Sequence, residues 1–157
     1  MVIQIRHRRE VQLPPTGWEY RSDPGQASSA ELLWSFFPGN IEMRVDETEI
    51  VSPVASVPAL HFAVAVVQAM DVLVLSSNSS YVYNFTEADE RITFRDSDKR
   101  VYITCSYSES ELTVSTDEFS HGVAAFIQRV IRDLGCEYPS LRGHSIVRNL
   151  LQKVGDR

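Results

Sequence analysis

Cysteine is scarce in this chain: Cys105 and Cys136 are the only two among 157 residues. That is too few for a disulfide framework or an all-cysteine zinc site. Glycine and proline number seven each, which excludes collagen-like and low-complexity chains. No Gly-x-Gly-x-x-Gly or Gly-Lys-Ser/Thr loop occurs, so no phosphate cradle is legible. No Gly-x-Ser-x-Gly elbow is present for a serine nucleophile. The four histidines, His7, His61, His121 and His144, show no zinc spacing, and no acidic loop meets the EF-hand pattern. The longest apolar run, residues 58–75, is interrupted by His61, Gln68 and Asp71. An aspartate near a membrane's centre costs about 2.5–3.5 kcal/mol, so a buried helix is expected there rather than a span.

What is present is a globular composition, 43% hydrophobic and 23% charged. The length suits one domain over 1–157, with residues 1–30 mostly irregular apart from a weak strand at 2–7 and a short one at Trp18 and Tyr20. Net charge is −6, unevenly spread: residues 31–116 hold five basic and thirteen acidic residues, while both flanks are slightly positive. Such a middle repels a phosphate backbone, so no nucleic-acid partner is expected. A basic protein would be attracted, chiefly through its association rate. The plainer alternative is that the acids only solvate loops. The start of the chain lacks a signal-peptide core, and with two free thiols a cytoplasmic location is expected.

Residues 31–37 read as an aromatic strand, Pro38-Gly39-Asn40 as a turn, and 41–46 as the second arm of a hairpin, with a short strand at Ile50-Val51. Ser56 is placed to cap helix 57–75. Period-two alternation then predicts four strands. Tyr81, Tyr83 and Phe85, then Ile92 and Phe94, then Val101, Ile103, Cys105 and Tyr107, then Leu112 and Val114 form the inner face. Ser115-Thr-Asp-Glu118 is a capping box ahead of a helix that Gly135 should end. A last helical stripe runs from Ile146 to Val154. The expected fold is therefore α+β: a curved antiparallel sheet of about six strands, a hairpin plus a four-strand meander, backed by three helices.

Each candidate chemical residue has a bland reading beside it. His61 could be a buried base, but a satisfied half-buried histidine is the commoner outcome. Cys105 is expected in the core and Cys136 beyond a helix C-terminus, where the dipole disfavours thiolate. Trp34, Phe36 and Phe37 are dense enough for one to stand at the surface as an anchor, the other outcome being that all are core. No catalytic residue, cofactor or metal ligand is assigned.

Taken over residues 31–154, this acidic charge and helix-backed sheet resemble the immunity proteins of bacterial polymorphic and contact-dependent toxin systems. The stretch Val57–Tyr107 is also similar to uncharacterised bacterial domains. The resemblance implies a non-enzymatic inhibitor that occludes the active site of a cognate basic toxin. Asp46, Glu47, Glu49, Glu87, Asp89 and Glu90 would then face the partner's Lys and Arg, or mimic phosphates. Two other functions are compatible with the residues. One is a small-ligand-binding or enzymatic domain with a pocket between the sheet and helix 57–75. The other is an accessory subunit or homodimer rather than a monomer.

Overall fold

The computed structural model describes residues 1–10 and 23–155. The expected short strand at Trp18 and Tyr20 falls outside them. The described chain is mixed helix and sheet, as expected, but it forms two four-stranded antiparallel sheets and four α-helices rather than one sheet of six strands and three helices.

The first sheet joins β1 (Ile3–Arg9), β2 (Pro38–Val45), β3 (Thr48–Val51) and the two-residue β4 (Val57–Pro58). β2 pairs with β1, β3 and β4 along its length. The alternation at the N-terminus is therefore a real strand, with Ile3 and Ile5 buried and Gln4 and Arg6 exposed.

The predicted hairpin of 31–37 with 41–46 does not form. Residues Ser29–Ser35 are helix α1, opened by a capping box in which Ser28 and Glu31 exchange side-chain and backbone hydrogen bonds. The aromatic density of this stretch suggested a strand; the cap outweighs that preference. Phe37 then turns the chain with a left-handed φ of 55°, which costs strain, and its ring is fully buried. Pro38-Gly39-Asn40 is not a turn but the start of β2. Gly39 serves close approach rather than reversal: a Cβ there would stand 2.2 Å from the Arg8 carbonyl oxygen on β1. The true hairpin is β2–β3, turning at Asp46 and Glu47, with Asp46 at φ 50°.

Helix α2 (Ala59–Leu75) buries Leu60, Phe62, Val66, Met70 and Leu73 among others. Ser56 does not cap it. The helix starts directly from β4, and its first N–H, that of Ala59, donates to the Phe37 carbonyl at 3.0 Å.

The second sheet is the expected meander in the order β5 (Ser80–Asn84), β6 (Arg91–Ser97), β7 (Arg100–Cys105), β8 (Ser108–Ser115). Its inner face buries Tyr83, Ile92, Phe94, Val101, Ile103, Leu112 and Val114. A register shift between Thr104 and Cys105 ends the regular pairing, and Cys105 is only half-buried instead of in the core. β8 runs alongside β3, which is where the two sheets meet.

The Ser115–Glu118 capping box opens α3 (Thr116–Glu137) as read from sequence. Gly135 does not end that helix. It is buried near Arg142, and the helix continues to Glu137, so Cys136 lies exposed in the last turn. After a 3-10 turn at Pro139–Gly143, α4 (Ser145–Gly155) packs on α2 and α3. Phe62 meets Phe126 edge-on at 5.9 Å between centroids, and Phe94 meets Phe119 at 5.7 Å, so α2, α3 and the second sheet share one core. No helix among the described residues is long and apolar enough to cross a membrane.

Candidate functional site

The six acids singled out in the sequence fall into two groups that the fold keeps apart. Asp46 and Glu47 form the turn after Val45, the last residue of β2, and Glu49 follows on β3. Glu87 accepts a hydrogen bond from the Ser56 hydroxyl, beside Val57, which pairs with Gly39 near the first residue of β2. Six strand steps separate Gly39 from Val45, on the order of 20 Å. Glu49 is opposite Arg44, so its charge sits in a mixed ladder that includes the Arg8–Glu42 ion pair at 2.8 Å.

The second group gains neighbours that sequence distance hid. The β5–β6 and β7–β8 connections lie at the same end of the meander. The Ser106 hydroxyl donates to the Glu90 carboxylate, and the Arg91 amide donates to the Ser106 hydroxyl at 3.0 Å. Glu109 and Glu111, at the start of β8, therefore join Glu87, Asp89 and Glu90 at one end of the sheet, with Arg91 as the nearest cation along the chain. The signal that could have found them is strand alternation: in an up-and-down meander, every second connection returns to the same end.

A separate groove of about 540 Å³ lies between α1, α2 and β5. Trp34 stands at its rim, 54% exposed, and is the surface aromatic that the Trp34, Phe36 and Phe37 cluster suggested; Phe36 and Phe37 are core. The Trp34 ring packs on His61 at 4.3 Å between centroids. His61 Nδ1 lies 3.2 Å from the Tyr83 hydroxyl. Burial lowers the His61 pKa below its ordinary value and raises that of Tyr83 well above its own, so both favour their neutral forms. The Tyr81 hydroxyl donates to Gln68 Oε1 at 2.9 Å. His61 and Gln68 thus share one groove, as their seven-residue spacing implies. Asp71 leaves that set to pair with Lys153 of α4 at 2.9 Å. Burial that lowers the His61 pKa makes it a weaker proton acceptor, and among the described residues no carboxylate pairs with it to strengthen it as a general base.

The remaining histidines have structural partners. His7 Nε2 donates to the Val57 carbonyl at 2.9 Å, His121 is exposed and bonds the Asp117 carbonyl, and His144 joins the Ala27 carbonyl to the Ile146 amide at the start of α4. Among the described residues, no three His, Cys, Asp or Glu side chains stand together so as to hold a metal ion. No family model, curated protein or solved structure matches the chain.

Proposed function

We propose that this protein is a non-catalytic binding module of the inhibitor type, acting in the cytoplasm on a basic partner such as a toxin domain. The acid-rich end of the meander, not the whole acidic surface, is the docking element. The observation that carries this reading is the convergence of Glu87, Asp89, Glu90, Glu109 and Glu111 on one end of a rigid hairpin pair. Clustered surface charge of one sign speeds encounter with an opposite surface and selects against acidic partners. Asp46, Glu47 and Glu49 lie about 20 Å away along β2 and would serve a second contact or only solubility.

The test is affinity capture from the native host at low salt, with the wild type beside a Glu87→Lys/Asp89→Lys/Glu90→Lys variant. One basic protein retained by the wild type, released at about 0.5 M salt and lost in the variant, is the expected result. Equal capture by both proteins, or no basic protein at all, would overturn it.

A second reading has its own observation. The Trp34 groove falls within the volume range of small-molecule sites and carries an exposed indole in contact with an imidazole, the two rings tilted by 40°. A planar apolar ligand stacking there would quench indole emission in the wild type and not in Trp34→Phe.

A further inference from the structure

One feature runs against the acidic character of the molecule. β1 is the terminal strand of the first sheet, and among the described residues no strand pairs with its outer edge. Glu10 donates its amide to Pro38 across the ladder, which assigns the even-numbered residues of β1 to β2. The odd-numbered backbone groups, those of Ile5, His7 and Arg9, therefore point outward. Among the described residues, the Ile5 carbonyl is the one of these outward groups that is bonded on that side, by Arg129 of α3 at 3.4 Å. Near Ile3 the helix lies close against the strand, with Gly122 at the contact. Beyond Ile5 the two diverge and leave a groove of about 440 Å³ between the strand edge and α3.

Among the described residues its walls carry Arg6, Arg8 and Arg9 from the strand and Arg129 from the helix, against one acid, Asp133; Phe126 adds an apolar surface. Arg8 and Arg9 are partly neutralised by Glu42 and Glu137; among the described residues Arg6, opposite Glu42 in the ladder, bonds Gln4 and Arg129 bonds the Ile5 carbonyl, and neither forms an ion pair. A strand edge beside a helix is the arrangement that binds extended peptides by strand addition: backbone bonds supply affinity and the walls choose the sequence.

We infer that the β1–α3 groove binds an extended acidic segment of a partner protein, added as a further strand to the edge from Ile5 to Arg9. Charge decides the occupant. A second copy would bring its own Arg6, Arg8 and Arg9 against these and be repelled, the usual way edge strands avoid self-pairing. A glutamate-rich strand would meet them favourably. The site is distinct from the acid-rich end, and either can fail without the other.

The probe is a fluorescein-labelled peptide of about ten residues alternating glutamate and valine, read by anisotropy against the full chain, with a lysine–valine peptide as control. The glutamate peptide should bind, weaken as salt rises, and shift the amide resonances of Ile5, His7 and Arg9. Arg129→Glu and the exposed Arg6→Glu should each weaken it by about tenfold or more, whereas Arg95→Glu, on the outer face of the second sheet, should not. Circular dichroism checks that the variants fold, and Arg6→Glu serves alone if Arg129→Glu does not. Any of four results would overturn the assignment: no binding, equal binding of the lysine peptide, equal binding of an oligothymidylate, or His7 and Arg9 amides already protected from exchange in the free protein.

Discussion

Gly122 sets two effects of known sign against each other. It sits within α3, where alanine is favoured over glycine by about 1 kcal/mol of helix propensity. A Cβ at this position would stand 2.3 Å from Ile3 Cγ2 and 3.0 Å from the Ile3 carbonyl oxygen. Carbon atoms in contact prefer about 3.5–4.0 Å, so α3 or β1 must shift by more than about 1 Å. Ile3 is 2% exposed and paired opposite Val45, so its side chain has no free space to enter. Overpacking of this kind costs about 1–3 kcal/mol. With Ile3 unable to yield, the clash belongs in the upper part of that range, about 2–3 kcal/mol, so Gly122→Ala should lose about 1–2 kcal/mol net, a fall in Tm of about 2–8 °C. Urea unfolding followed by circular dichroism measures it. Ile3→Ala alone should cost about 2–5 kcal/mol, yet in that background Gly122→Ala should become neutral or stabilising, because the new methyl enters the vacated space. A Gly122→Ala protein as stable as the wild type, or strict additivity of the pair, would refute this account of how α3 approaches β1.

Three further outcomes follow from individual groups. Asp96, 5% exposed, accepts the Asn78 amide at 3.1 Å and the Thr116 hydroxyl at 3.3 Å, tying the α2–β5 turn to the start of α3; Asp96→Ala should cost about 1–3 kcal/mol in urea unfolding, and a neutral result would remove it as a tie. Among the described residues the buried Tyr107 hydroxyl meets no hydrogen-bond partner stronger than the Cys105 thiol, so Tyr107→Phe should keep or raise stability by up to about 1 kcal/mol, and a clear loss by calorimetry would mean that the hydroxyl is satisfied. Burial holds the pKa of His7 below its ordinary 6.5, so between pH 6.5 and its lower folded value the unfolded chain binds more protons; stability is full above pH 6.5 and falls as the pH drops. The urea midpoint should therefore be lower at pH 5 than at pH 7.5, and less so in His7→Gln; an identical drop in both proteins would exonerate His7.

Local pattern determined the second half of this molecule. Alternation from Tyr81 to Val114, short polar connectors and the Ser115–Glu118 box are all decided by neighbours within a few residues, and the meander and α3 follow them. The Ser28–Glu31 box was equally legible, but the β-preferring aromatics after it concealed α1. Tertiary structure alone decided what β2 pairs with. Its partner β1 is some thirty residues away, and only burial of Ile3 and Ile5 beside Ile41, Met43 and Val45 selects that register over a local hairpin. The same holds for function. Charge and composition are sums over the chain, so the acidic excess was plain from the outset. Which carboxylates share an end, and where four arginines flank an open strand edge, depend on how distant segments fold together, and no local pattern encodes that.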